Sequence, residues 1–246
     1  MTDARRGGEL YEADGVRDAY LRHRHDGAHS PNTVMEEPAF IDALGSVAGC
    51  RVLDLGCGDG STAELLLGRG AASYVGLDGS AGMIDEARRR MSDSRATFVH
   101  GDIEDLEVGV GEFDVVISRM ALHYVKQLDV VFDRVHRALN EGGRLVFSVV
   151  HPVITSRDNT GDGPRTSWMV DGYFDRGPRE RAWFGSTVVW QHRTIEDYVR
   201  LITDHGFRLD VLSECEPNVE LLAANPDDLA RRRRVPLMLL VGATRR

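Results

Sequence analysis

The sequence predicts an α/β fold of the doubly wound, Rossmann-like kind, and three observations lead to it. An apolar strand, Val52-Leu53-Asp54-Leu55, runs straight into the glycine-rich turn Gly56-Cys57-Gly58-Asp59-Gly60. The next apolar run, Tyr74-Val75-Gly76-Leu77, ends on a second acid, Asp78, 22 residues beyond Gly56. Apolar runs and segments of helical length then alternate as far as residue 150. This is the layout of a nucleotide-binding βαβ unit, in which glycines let the backbone approach the ligand and the later acid takes ribose hydroxyls.

In chain order, residues 8–25 and 34–44 read as helices of an N-terminal cap spanning 1–48, separated by a turn-rich stretch at 26–32 that contains Ser30-Pro31-Asn32. Strand 51–55 feeds a helix at about 61–69. Strand 73–77, helix 80–91, strand 96–100, strand 113–118, helix 127–139 and strand 143–150 complete a parallel set within a core at 50–150. Residues 152–192 are too long and too patterned to be a connector. They hold all three tryptophans (Trp168, Trp183, Trp190) with Tyr173, Phe174 and Phe184, and Ser186-Thr187-Val188-Val189-Trp190 alternates like a strand. A small antiparallel lid over the strand ends is expected there. Helix 194–205, strand 207–214 and strand 235–243, within 193–246, close a single domain.

The details of the first turn select the ligand. A dinucleotide fingerprint needs glycine at position 61, where this chain has Ser61, and no Gly-Lys-Ser/Thr follows to make a phosphate loop. A pyrophosphate wants backbone N–H groups without carboxylates nearby, whereas this turn carries Asp54 and Asp59. Two acids suit a ligand with an ammonium and a sulfonium. S-adenosylmethionine has both and no phosphate.

Five blocks then fall in order: VLDLGCGDG at 52–60, YVGLDGS at 74–80, HGDIEDL at 100–106, FDVVISRMALHYV at 113–125 and LNEGGRLVFSVVHP at 139–152. With these the chain resembles the class I S-adenosylmethionine-dependent methyltransferases, within them the type 11 group that includes quinone C-methyltransferases. The resemblance is strong over 50–150 and weak elsewhere. It implies a mostly parallel seven-stranded sheet whose last strand is antiparallel and inserted between strands five and six. His151-Pro152-Val153 and His192-Arg193-Thr194 further resemble bacterial natural-product enzymes acting on small aromatic scaffolds, some at indole carbons and others at nitrogen or oxygen.

The resemblance also implies roles. Gly56, Gly58 and Gly60, with Gly79, would give backbone access to the cofactor. Asp54 would orient the turn or the ammonium, and Asp78 would grip both ribose hydroxyls, although Asp78 also stands where a helix N-cap could, a place Ser80 already offers. Met83 would pack on adenine, and Asp102 and Ile103 would clamp its edge. Ser118 and Arg119 end the fourth strand, where a backbone carbonyl would meet the ammonium. Tyr20 and Arg24 match relatives whose N-terminal helix folds over the cofactor.

Methyl transfer is an in-line displacement, so an enzyme must chiefly align nucleophile, methyl and sulfur. An oxygen or nitrogen nucleophile also needs a base. His123, His151 and, more weakly, Tyr124 and His192 are the candidates, each against a purely structural reading. Tyr11, Trp168, Tyr173, Phe174, Trp183 and Trp190 are expected to wall an aromatic or indole-like acceptor, with Asp171 and Asp175 near enough to suit an amine; a satellite core or a dimer interface is the alternative.

Composition bounds the rest. With 246 residues and 42% hydrophobic content the chain can bury one sizeable core. No apolar run approaches the roughly 20 residues of a membrane span, and the start of the chain lacks an apolar signal region, so a cytoplasmic protein, monomer or homodimer, is expected. Cys50, Cys57 and Cys215 show no C-x-x-C spacing and read as reduced thiols. No metal is expected, since Ser118-Arg119-Met120-Ala121-Leu122-His123 carries no acids. A net charge of −9 argues against nucleic acid as the main partner, and the arginine run at 231–234 reads as a solvated face. A tRNA-modifying enzyme and a cofactor-binding module without activity stand as alternatives to a small-molecule methyltransferase.

Overall fold

The computed structural model describes residues 7–12, 15–24, 30–156 and 167–246. Seven strands form one sheet: β1 (Arg51–Leu55), β2 (Ser73–Asp78), β3 (Ala96–His100), β4 (Phe113–Arg119), β5 (Leu139–Val150), β8 (Phe207–Ser213) and β9 (Met238–Arg245), in the order β3-β2-β1-β4-β5-β9-β8. The first five are parallel, and β9 runs antiparallel between β5 and β8, as the sequence implied. Because the order turns back between β1 and β4, a crevice opens at the carboxyl ends of these strands, where open α/β sheets bind ligands.

Alternation along each strand explains why both sheet faces are covered. Leu53, Val116, Phe147 and Val241 face α6 (Leu128–Ala138) and α8 (Ile195–Asp204) in one core, while Val52, Val115, Val146 and Leu240 face α3 (Glu37–Leu44), α4 (Ser61–Gly68) and α5 (Ala81–Arg90) in the other. Parallel strands buried on both faces read as the near-continuous apolar runs seen in the sequence.

The expected helix at 8–25 is two pieces, α1 (Gly7–Leu10) and α2 (Val16–Arg24), with Gly15 between them at φ +75°. The turn placed at 26–32 lies largely outside the described residues. From Asn32 to Glu36 the chain forms a π-helical turn leading into α3. β5 begins four residues before the expected 143, where Leu139 pairs with Phe113 ahead of a register shift. Two short helices were missed, α7 (Pro152–Ser156) and α9 (Pro226–Arg232). In α9 the arginine run is only partly a solvated face, since Arg232 is buried and ion-paired with Asp228 at 2.8 Å.

The expected lid contains a hairpin, β6 (Gly177–Trp183) and β7 (Ser186–His192). Phe184 and Gly185 turn it at φ +46° and +79°, two positive values that match the right-handed twist of a two-residue hairpin loop. Leu10 at the end of α1 and Val188 and Trp190 of β7 pack together with Val16 and Val150 in a third, smaller core. Among the described residues no helix is long and apolar enough to cross a membrane.

Candidate active site

A cavity of about 540 Å³ occupies the crevice. Its floor is the turn after β1. The Gly56 N–H donates to the Leu77 carbonyl at 2.8 Å, and at φ +84° a Cβ there would lie 2.3 Å from the Ala121 Cβ, so only glycine fits. Gly58, at φ +55°, lines the cavity, and a Cβ on it would meet nothing within 4 Å. Its N–H donates to Asp78 Oδ2 at 2.8 Å, while the Ser80 N–H donates to Oδ1 at 2.9 Å. Asp78 therefore faces the cavity as a carboxylate fixed by two backbone donors, with lone pairs left over. Burial raises its pKa against the pull of those donors.

Gly79, Met83, Asp102 and Ile103 line the same end. Ser80 caps α5 by accepting the Met83 N–H at 3.2 Å, which leaves Asp78 free of that task. Asp102 Oδ1 accepts the Glu104 N–H at 2.8 Å and so caps the short turn Ile103–Asp105.

Arg119 closes the floor from the end of β4. Its guanidinium grips Glu36 with Nε at 3.1 Å and Nη2 at 2.5 Å, and Ser148 Oγ donates to the same carboxylate at 2.8 Å. Glu36 is fully buried in the π-helical turn, so the pair straps the N-terminal region to β4 and β5. Ser118 is also buried and donates its hydroxyl to the Leu55 carbonyl at 2.6 Å, tying β4 to β1.

Several expected site residues lie off the cavity wall. Asp54 is 1% exposed behind the turn, where Tyr74 donates to Oδ2 at 2.5 Å, Oδ1 has no partner, and burial pushes its pKa up to about 7. Asp59 pairs with Arg90 at 2.7 Å, so its charge is met within the protein. Gly60 serves packing: a Cβ would lie 3.0 Å from the Ala87 Cβ and 3.1 Å from the Phe98 ring. Arg24 also lies outside the wall, in the field of Tyr20, Arg119, Asp59 and Glu36.

The histidines are placed for structure. His151, 1% exposed, accepts the Val153 N–H on Nδ1 at 3.1 Å, which puts its proton on Nε2 facing Glu214 at 3.1 Å. His192 meets the Thr155 hydroxyl through Nδ1 at 2.6 Å and the Tyr173 carbonyl through Nε2 at 2.9 Å. His123, 2% exposed, stacks on Tyr124 at 4.2 Å and stands edge-on to Trp190 at 5.7 Å. Burial, with Arg193 nearby, pushes its pKa down to about 3. Of the four candidates for a base, His123, His151, Tyr124 and His192, only Tyr124 lines the cavity, and burial pushes its phenol up to about 12.

The aromatic wall differs from expectation for a reason of strand geometry. On β7, Val188, Trp190 and His192 point into the core, so their neighbours Val189 and Gln191 face the cavity. Trp183 packs 5.9 Å from Trp190, Trp168 donates its indole N–H to the Val153 carbonyl at 3.0 Å, the Tyr173 hydroxyl accepts the Ile195 N–H at 3.3 Å, and Phe174 is 75% exposed. None of these four, nor Trp190, Asp171 or Asp175, lines the cavity. Tyr11 and Tyr20 do, with ring centres 4.9 Å apart. The sequence reading missed Val189, Gln191 and Lys126 on the wall; strict period-2 alternation around the inward Trp190 was the available signal for the first two.

Comparison with known proteins decides the family. The family described as a methyltransferase domain matches residues 52–143. An S-adenosylmethionine-dependent methyltransferase from Mesorhizobium loti superposes with a TM-score of 0.80 at 35% identity, covering 85% of this chain and 97% of that one. This chain belongs to the S-adenosylmethionine-dependent methyltransferases. An uncharacterized Haemophilus influenzae protein is 28% identical over 217 residues, 83% of this chain and 85% of its own. A demethylmenaquinone methyltransferase from Clavibacter sepedonicus is 39% identical over 110 residues, covering 44% of each chain. The methyltransferase thus spans under half of that relative, and what that relative acts on does not carry over.

The cavity of this methyltransferase suits its cofactor, S-adenosylmethionine. Gly58 leaves bare backbone and open space on the cavity wall, and Asp78 presents two adjacent oxygens there, a cradle that fits a diol-bearing ligand.

Proposed function

We propose that this methyltransferase methylates a small, predominantly apolar aromatic acceptor, indole-like in size, by alignment of the reactants without a histidine base. One observation carries the reading. The cavity wall around Tyr11, Tyr20, Tyr124, Val125 and Val189 is apolar and aromatic with Gln191 as a polar handle; His123, His151 and His192 lie off it, and His100, which does line the cavity, has Nε2 on the Gly79 carbonyl at 3.2 Å. The cavity volume of about 540 Å³ falls in the range of small-molecule sites, about 300–1,000 Å³.

In this reading Asp78 holds the cofactor ribose, Met83, Asp102 and Ile103 hold its adenine, and Gly56, Gly58 and Gly79 admit it close to the backbone. Tyr20 of α2 and Arg119 close the methionine end. When bound, the cofactor supplies a methyl on a sulfonium, which departs as a neutral thioether as the acceptor's electron pair forms the new bond. Tyr11 and Tyr124 stay protonated, since burial raises both phenols; their hydroxyls are hydrogen-bonded to each other, so the pair as a unit presents one O–H to orient the acceptor. The lid strand β7 excludes water from the reacting atoms. A nucleophile that needs no deprotonation before attack, such as an electron-rich ring carbon, fits best; the strongly acidic ring C–H of the methylated cation then breaks, and its proton passes to bulk water as the product leaves.

The test is transfer of radiolabelled methyl from S-adenosylmethionine to a panel of indole, tryptamine and naphthol acceptors. Label in an organic-extractable product is expected. Label appearing only in RNA or protein, with no aromatic acceptor active, would sink the proposal.

A further inference from the structure

We infer that Glu12 is a positioning residue for cofactor binding: its carboxylate latches the strap at residues 7–12 onto the start of α5, fixing the loop that carries Asp78 and setting the rate at which the cofactor leaves. Glu12 Oε1 accepts the Ser80 hydroxyl at 2.5 Å and the Gly82 N–H at 3.0 Å. The Gly82 N–H is one of the first-turn donors that a helix cannot satisfy internally. An acid from a distant segment takes it, where a negative charge also meets the positive end of the helix. Ser80 then caps the Met83 N–H through Oγ and gives its own N–H to Asp78 Oδ1. Glu12 is therefore one hydrogen-bonded residue away from the ribose acid. The same two donors hold the Glu12 carboxyl below its ordinary pKa, so it is charged at neutral pH.

The other end of the strap makes the latch geometrically strict. Gly8 lies so close to Gly79 that a Cβ on Gly8 would stand 2.5 Å from the Gly79 carbonyl carbon and oxygen. Neither atom is a movable side chain, so any residue but glycine there lifts the strap. Gly7, Gly8, Glu9 and Tyr11 all line the cavity. A cofactor seated on Asp78 lies beneath them, and the strap has to lift for product to leave. Glu12 is exposed on the outer side and lines no part of the cavity, so its effect passes through Ser80 and the strap.

The test measures dissociation of S-adenosylhomocysteine from the full-length protein by stopped-flow displacement, for wild type, Glu12→Ala, Glu12→Gln and Gly8→Ala. Loss of a hydrogen-bonded charge of this kind is worth roughly a tenfold change. Glu12→Ala should release the product about tenfold faster and raise KM for S-adenosylmethionine. Glu12→Gln keeps an acceptor oxygen and should recover most of the difference, a rescue that a merely structural acid would not give. Gly8→Ala, which lifts the strap from its opposite end, should also speed release. A wild-type release rate in Glu12→Ala overturns the inference whatever Gly8→Ala does, as does a loss confined to kcat.

Discussion

Gly58→Ala separates cofactor recognition from folding more cleanly than any other single change. Gly58 sits at φ +55° with no atom within 4 Å of an added Cβ, on the cavity wall. Folding then bears only the left-handed backbone cost of an L-residue, about 1–2 kcal/mol, or a fall in Tm of about 2–8 °C for a chain of this size. Binding bears a methyl group in the space the ligand needs. Overpacking by one methyl costs about 1–3 kcal/mol, which is about a 5- to 150-fold loss of affinity. Gly49→Ala is the control, since Gly49 has φ +74°, has nothing within 4 Å of a Cβ, and lies outside the cavity. Both variants should show similar Tm losses by differential scanning fluorimetry. Only Gly58→Ala should lose S-adenosylhomocysteine binding by calorimetry; equal affinities in the two variants would refute the placement of the cofactor over this turn.

Two further outcomes follow from buried charge. Glu36→Gln leaves the buried Arg119 with only the part-exposed Glu37 as an ion partner, at 3.2 Å, so the loss should sit near the lower end of the range for breaking a buried pair, about 3 kcal/mol, and lower Tm by roughly 6–12 °C; a fall below about 2 °C would show the pair to be dispensable. His123 has its pKa pushed from 6.5 down to about 3 in the folded protein. A depressed histidine contributes stability that is full above 6.5 and is lost as pH falls from there towards 3. His123→Phe should therefore flatten the acid limb of urea stability over that window, and an unchanged limb would contradict the burial assigned to this ring. The wild-type pH–rate profile should likewise show no break from His123 near 6.5.

The cofactor half of the molecule was legible because its chemistry is local in sequence. Gly56, Gly58 and Asp78 sit where one strand–turn–helix–strand passage puts them, and the antiparallel β9 followed from the ordered blocks. Where partners came from far along the chain, the sequence did not reveal them. Asp59 looked like a ligand acid, but Arg90, 31 residues away, holds it. Gly60 looked like a ligand glycine, but the helix–strand contact with Ala87 and Phe98 needs it. His151 and His192 stand at strand ends as a base would, yet Glu214, Thr155 and the Tyr173 carbonyl occupy their nitrogens. The aromatic composition of the lid was legible, but which face of β7 meets the acceptor was not, because composition carries no register. The buried Glu36 was hidden for another reason: a π-helical turn shifts side chains off the 3.6-residue period by which helix faces are read.

Titration of S-adenosylhomocysteine into wild-type and Asp78→Asn protein tests the central claim most directly. Among the described residues Asp78 is the one cavity-facing carboxylate fixed by backbone donors on both oxygens, and each charge-assisted hydrogen bond it accepts from a ribose hydroxyl is worth about 1.5–3 kcal/mol. Wild-type protein should bind, and Asp78→Asn should bind at least about tenfold more weakly while melting within a few degrees of wild type. Affinity retained in a folded Asp78→Asn protein would contradict the account.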